Sequence, residues 1–260
     1  MVIKPFETID NGFIPIAKLH SMTKSTIQDE LENNKKMKIL HFIRHAEGTH
    51  NVKKQYKNPA NLDASLTLKG IQQCRDFASA DTLTSNDVDC IIVSPMTRAL
   101  QTAQYCLENV IRNPISNDLP IVAHEEWRET VNYVCDQRRD TTILKSEFPF
   151  VDFQHLQYEK DPIWDKYELE LGSATEHKSH RESNDDAALE ARVRAAWDVL
   201  ANRQEKSIAI VGHSAFFLHM FDPLFSNLEG LIQYCDDDVG IYMRPTFNNC
   251  ECRSVVYELL

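Results

Sequence analysis

Three short apolar runs constrain this chain more than any other feature. They are Ile39-Leu40-His41-Phe42-Ile43, Cys90-Ile91-Ile92-Val93 and Ile208-Ala209-Ile210-Val211. Each is short, nearly continuous and rich in β-branched residues, the pattern of central parallel strands covered on both faces. Helical patterns lie between them. Thr67 suits an N-cap for a helix carrying Leu68, Ile71, Cys74 and Ala78 on one side. Residues 96–110 set Leu100, Ala103, Leu107 and Val110 on one face. Residues 186–202 do the same with Leu189, Val193, Ala196, Trp197 and Leu200, directly before the third strand. Strand and helix in alternation predict an α/β fold, a three-layer α/β/α sandwich around a mostly parallel central sheet. A fourth run, Ser254 to Leu259, alternates more and reads as an edge or near-edge strand.

The length of 260 residues suits one large α/β domain. Residues 1–36 read as an N-terminal extension, punctuated by Pro5, Gly12 and Pro15, with a short helix expected over Ser25–Glu32. The catalytic domain is placed at 37–260. Within it, the segment from about 130 to 185 mixes Tyr133, Phe148, Phe150, Phe153 and Trp164 with prolines and charge. It is expected to be a variable cap over the substrate, with Glu176 to Asp186 as a mobile polar surface loop.

The residues just past each strand carry the chemistry, because ligands of open parallel sheets bind outside the carboxyl ends of the strands. After the first strand comes Arg44-His45-Ala46-Glu47-Gly48-Thr49-His50-Asn51, after the second Ser94-Pro95-Met96-Thr97-Arg98, and after the third Gly212-His213-Ser214. Two histidines and two arginines therefore converge on one sheet edge. An imidazole nitrogen can attack phosphorus and form a covalent intermediate. Guanidinium forks and a second imidazole can clamp the charge on the transferring oxygens. A carboxylic acid nearby can protonate the leaving oxygen. No metal is required in such a scheme and no cofactor is expected.

Charge sharpens this reading. The net charge is −11, which argues against a nucleic acid or an anionic membrane as partner. Any anion pocket must be locally positive against that background, so the arginines above are informative. The seven cysteines are scattered and odd in number, and read as reduced core residues of an intracellular, cytoplasmic or also nuclear, protein. No secretory leader is seen, and no stretch approaches the roughly 20 apolar residues of a membrane helix. The glycines, at 12, 48, 70, 172, 212, 230 and 240, permit no Walker loop or dinucleotide fingerprint. His177 and His180 read as a surface pair, Cys250 and Cys252 as inward positions of a strand, and Asp236–Asp238 as a solvated turn.

Arg44-His45-Ala46-Glu47-x-x-x-Asn51 resembles the motif of the histidine phosphatase superfamily, the phosphoglycerate-mutase-like enzymes, with Ala46 where glycine is usual. Leu66-Thr67-x-x-Gly70, Ser94-Pro95-x-x-Arg98-Ala99-x-Gln101-Thr102-Ala103 and Val211-Gly212-His213-Ser214 match in the family's order. Arg128-Glu129, followed by Cys135-Asp136-Gln137-Arg138-Arg139, is similar to the fungal phosphomutase-like and plant phosphoglycerate-mutase-like branch. The resemblance implies that His45 is the nucleophile. It implies that Arg44, Arg98 and His213 bind the phosphoryl group, with Asn51 and the Ser214 N–H as further donors. Glu129 becomes the proton donor, with Glu125 and Glu126 close by as alternatives, and Arg138 and Arg139 face the rest of the substrate. The expected partner is a small phosphorylated metabolite; nothing specifies an oligomeric state. The expected reaction is hydrolysis of phosphate monoesters, with a phosphoglycerate-type mutase or a non-catalytic phosphate-binding relative as alternatives.

Overall fold

The computed structural model describes residues 17–21, 37–115, 119–222 and 231–260. The helix expected over 25–32 lies outside them. The described elements run β1 (Ala17–His20), β2 (Met37–Arg44), α1 (Leu68–Ser79), β3 (Cys90–Val93), α2 (Thr97–Cys106), α3 (Glu108–Arg112) and β4 (Ile121–Ala123). They continue with α4 (Thr141–Glu147), α5 (Pro162–Leu171), α6 (Asp186–Asn202), β5 (Ser207–Gly212), α7 (Ser214–Phe221), β6 (Ile232–Tyr234), α8 (Asp237–Met243) and β7 (Cys252–Leu259). The strands form one seven-stranded sheet in the order β4-β3-β5-β2-β7-β1-β6. All pairings are parallel except those of β7, which runs against both β2 and β1. Two cores, one on each face, make this the expected sandwich.

The three apolar runs form the centre of the sheet, and β3 is buried at all four residues. Their side chains divide between the layers: Leu40, Phe42, Ile208 and Ile210 enter one core, and Ile43, Ile91, Ala209 and Val211 the other. Burial on both faces, about 1.5–3 kcal/mol for each large aliphatic side chain, makes such runs continuous rather than alternating. Phe42 anchors an aromatic cluster with Trp127, Trp197, Phe217 and Phe221.

Several expectations need correction. β7 is no edge strand, because β1 and β6 extend the sheet beyond it. β1 comes from the segment read as an extension, so at Ala17–His20 that segment is part of the sheet. Leu68 is 87% exposed at the start of α1, and Phe77 takes the inward place instead. The helix over 96–110 breaks at Leu107 into α2 and α3, although all four predicted inward residues are buried. Thr67 does cap α1, its hydroxyl accepting from the Gly70 N–H at 2.9 Å. Asp236 caps α8 in the same way, accepting from the Val239 N–H at 3.0 Å, so the aspartate run begins a helix. Glycine is required at 70: a Cβ there would overlap the Glu47 carbonyl oxygen, so α1 could not close against the loop after β2.

Candidate active site

The carboxyl ends of β2, β3 and β5 meet at one cavity of about 290 Å³. The backbone N–H groups of His45 and Ser94 donate to the Gly212 and Val211 carbonyls, at 2.9 and 3.0 Å, which aligns the three strand ends. His45 is 1% exposed. Its Nδ1–H donates to the Ala46 carbonyl at 2.7 Å. That bond fixes the tautomer and leaves Nε2 with a free lone pair, the form a nucleophile needs. Burial first, then the Arg98 and Arg44 guanidiniums and His50, hold its pKa well below the ordinary imidazole value. The ring is therefore neutral across the physiological range.

His213 immediately precedes α7 and is fully buried. Its ring centre is 5.1 Å from that of His45. Its Nε2 bonds the Ser94 hydroxyl at 2.7 Å, and burial and Arg98 keep it neutral as well. Arg98 starts α2 and is also fully buried. It donates to the Cys135 carbonyl at 2.7 Å and to Asp136 at 3.2 Å. Arg44 donates to the Phe247 carbonyl at 2.6 Å. Buried polar atoms are ordinarily paired. Here Arg44 Nε, Arg98 Nε, His50 Nδ1 and His213 Nδ1 are all buried without a partner among the described residues. Four such nitrogens around one imidazole nucleophile suit an anion with several oxygens.

Glu129 lines the cavity, and its carboxylate accepts from the Phe216 and Ala215 N–H groups at 2.9 and 3.3 Å, at the start of α7. Glu125 is consumed by Arg128 and Arg138, and Glu126 faces His124. Of the three glutamates, only Glu129 reaches the cavity. Asn51 also lines it; its Oδ1 accepts from the Gly48 N–H at 2.9 Å, which leaves the amide NH₂ as the available end. Ser214 lies on the wall at the first position of α7. Asp136 holds Arg98 from behind; burial pushes its carboxyl above the ordinary range, Arg98 opposes this and nearby Glu129 adds to it.

Arg138 and Arg139 do not face the cavity. Arg138 is buried against Glu125 and the carbonyls of Tyr158, Glu159 and Lys160. Arg139 pairs with Asp63 and Glu147. Both are structural, because each guanidinium finds its partners among carboxylates and carbonyls away from the cavity. The 176–186 stretch is likewise no free loop: Glu182 is buried between Arg192 and the Val131 N–H. Through it His180 reaches the cavity mouth, bonded to the Tyr133 hydroxyl at 2.8 Å. Tyr133 stacks on Tyr56 at 5.5 Å. His50, Tyr56, Asn132, Tyr133, His180 and Ser183 are thus wall residues that sequence reasoning missed. Only His50 carried a signal, its place in the loop after β2.

The family model of the histidine phosphatase superfamily (branch 1) matches residues 40–225. A phosphoglycerate mutase-like protein of Arabidopsis thaliana is 32% identical over 249 residues, covering 84% of this chain and 84% of its own. Another from that plant, phosphoglycerate mutase-like protein 1, is 31% identical, covering 84% of this chain and 80% of its own. Among solved structures, a phosphoserine phosphatase of Entamoeba histolytica with 3-phosphoglyceric acid is 20% identical at a TM-score of 0.45, covering 83% of this chain and 89% of that one. The match spans all three strand-end motifs, and the chain belongs to the histidine phosphatase superfamily, branch 1.

Proposed function

We propose that the chain is a metal-independent phosphatase of small phosphate monoesters that works through a phosphohistidine on His45. The observation that carries this is the fixed His45 tautomer amid the unpartnered nitrogens of Arg44, Arg98, His50 and His213. Nε2 attacks phosphorus and the ester P–O bond breaks. Glu129, protonated, gives its proton to the leaving oxygen. Arg44, Arg98, His213, the Asn51 amide and the Ser214 N–H hold the equatorial oxygens as their charge develops. Glu129 then takes a proton from water, which attacks the phosphohistidine, releases phosphate and restores His45. The reaction needs no cofactor on this reading, and a cytoplasmic place suits it.

Hydrolysis is favoured over a mutase by the cavity's charge. A bisphosphate intermediate needs a second anion site. Among the described residues lining the cavity, the only arginines or lysines are Arg44 and Arg98, both at the His45 end. The remainder of the wall includes Tyr56, Tyr133, His180, Asn132 and Ser183, which suits a substrate with an uncharged, hydrogen-bonding remainder. The test is phosphate release from a panel of sugar phosphates, nucleotides and phosphoglycerates, without added metal, with quench trapping of labelled phosphate. The label is expected on His45, and His45→Ala is expected to abolish both trapping and release. Full activity in that variant sinks the mechanism, and phosphoglycerate interconversion faster than phosphate release replaces the phosphatase with a mutase.

A further inference from the structure

Three cysteines from separate elements meet beside the His45 loop. Cys74 lies on α1, Cys106 ends α2, and Cys250 sits in the turn before β7 with a left-handed φ of 62°. Cys250 and Cys252 both pack against the same core, as expected, but Cys250 does so from the turn and only Cys252 from the strand. All three sulfurs lie within 4.8 Å of one another, and those of Cys106 and Cys250 approach to 3.2 Å. Cys74 and Cys106 are buried, while Cys250 is half-buried and gives the cluster its way to solvent.

The surroundings choose among the fates open to three thiols. Cys74 and Cys106 belong to the apolar core of Ala46, Val93, Leu100 and Ala103, and Cys250 packs against it. Thr102 touches Cys74, but its oxygen already serves the Ala46 N–H and its proton the Arg98 carbonyl. The strongest influences on the thiols are burial, one another, Thr102 and Asp76, with no cation among them. Three thiolates around a metal ion would leave uncompensated negative charge in an apolar wall and offer no fourth ligand for a tetrahedral ion. A disulfide is neutral. Its S–S bond of about 2.05 Å asks the closest pair to approach by only about 1.1 Å.

We infer that Cys106 and Cys250 form an oxidation site that closes as a disulfide beside the His45 loop when a peroxide reaches Cys250, with Cys74 as the adjoining third thiol. Hydrogen bonds from Cys106 and Cys250 hold the Cys74 thiol below its ordinary pKa, while burial raises Cys106, and Cys74 raises Cys250 against the Cys106 hydrogen bond, so Cys74 is the cluster's proton acceptor. The Cys250 thiol passes its proton into that cluster and its sulfur attacks a peroxide oxygen. The O–O bond breaks, the departing hydroxide takes that proton back from the cluster and leaves as water, and Cys250 becomes a sulfenic acid. Cys106 sulfur, losing its proton, displaces the sulfenic hydroxide as a second water and forms the S–S bond. The sum is two thiols and one hydrogen peroxide giving one disulfide and two waters.

The closure touches the site directly. The Cys250 N–H donates to the carbonyls of Arg44 and His45, at 3.2 and 3.4 Å, and the Asn249 amide donates to the His45 carbonyl at 3.1 Å. Cys106 is the far end of the helix that begins beside Arg98. Drawing them together by about 1 Å shifts His45 against Arg98, a displacement that costs on the order of tenfold to a hundredfold in turnover.

The experiment treats the full chain with stoichiometric hydrogen peroxide, blocks remaining thiols and maps disulfides by peptide mass, with phosphate release measured in parallel. A Cys106–Cys250 linkage is expected, reversed by dithiothreitol, retained in Cys74→Ser and absent from Cys106→Ser and Cys106→Ala. Oxidation confined to exposed Cys235, or a different linkage, overturns the assignment, as does stoichiometric zinc or copper retained by the reduced protein and lost in Cys74→Ser. The activity arm rests on the phosphatase reading; the linkage arm does not. Reduced Cys106→Ser is expected to keep its turnover and resist peroxide. Equal inhibition of that variant and the natural chain overturns the coupling to the site.

Discussion

Protonation of His50 offers a direct test of the site's electrostatics, independent of any substrate. Its ring lies 5.5 Å from that of His45. Burial first, and then Arg98 and Arg44, lower its pKa from 6.5 to about 2. In the unfolded chain the same imidazole titrates near about 6.5. The folded value is the lower one, so the stability it contributes is complete above the unfolded value and is lost as pH falls from 6.5 toward about 2. Linkage sets the size: about 1.4 kcal/mol is lost between about pH 7.5 and about pH 5.5, and about 1.4 kcal/mol more per further unit. His50→Asn removes this proton uptake. Denaturant unfolding of both chains at the two pH values isolates it, because any constant cost of the substitution cancels in the difference. The natural chain is expected to lose about 1.4 kcal/mol more than the variant over that interval. Equal losses in the two would show that His50 takes up its proton as readily in the folded as in the unfolded chain, and the account of a pocket of neutral imidazoles between two guanidiniums would fail.

Two further substitutions separate chemistry from scaffold. Ser94→Ala removes the 2.7 Å partner of His213; turnover is expected to fall by about tenfold to a hundredfold with KM little changed, since what is lost is orientation rather than binding. A change in KM alone would refute this. Arg139→Ala frees buried Asp63 from one of its partners and is expected to lower stability by about 1–3 kcal/mol, read as a fall in Tm. KM should stay within about twofold, and a large rise in KM would return Arg139 to the substrate.

The central strands and their terminal motifs were legible because two-sided burial imposes one pattern, and each strand end fixes the position of the residues just beyond it. β1 and β6 were not, because each mixes polar with apolar residues over three or four positions, and β4 at three residues is shorter even than the continuous apolar run of β3. β7 was misplaced because its alternating pattern registers uneven burial, while its position depends on β1, which precedes β2 in the chain and reaches it in the sheet only through β7. Among the site residues, His45, Arg44, Arg98 and His213 follow from strand-end placement. Glu129 leans on family likeness, because the residue after Arg128 reaches the cavity only through the turn that follows Trp127.

The capping segment was opaque for a different reason, which also accounts for the failure at Arg138 and Arg139. Its shape is specified by buried ion pairs rather than by apolar spacing. Arg128 takes both oxygens of Asp161 at 2.6 Å, and Arg192 holds Glu182 at 2.8 Å. A basic pair in such a segment looks like a substrate clamp in sequence, since nothing in the pattern reveals which carboxylates, Glu125, Glu147 and the distant Asp63, the fold brings to it. These pairs add little stability over apolar packing, but losing one partner costs about 3–5 kcal/mol, which makes the arrangement specific. That specificity reaches the chemistry. Arg192 also donates to the Arg128 carbonyl at 2.8 Å and the Glu129 carbonyl at 3.4 Å. The backbone that carries the proposed acid is therefore fixed by the same guanidinium that seats Glu182, and with it the His180 stretch at the cavity mouth. The mouth and the acid are set together, so exchange of the capping segment between relatives would be tolerated only when these ion pairs travel with it.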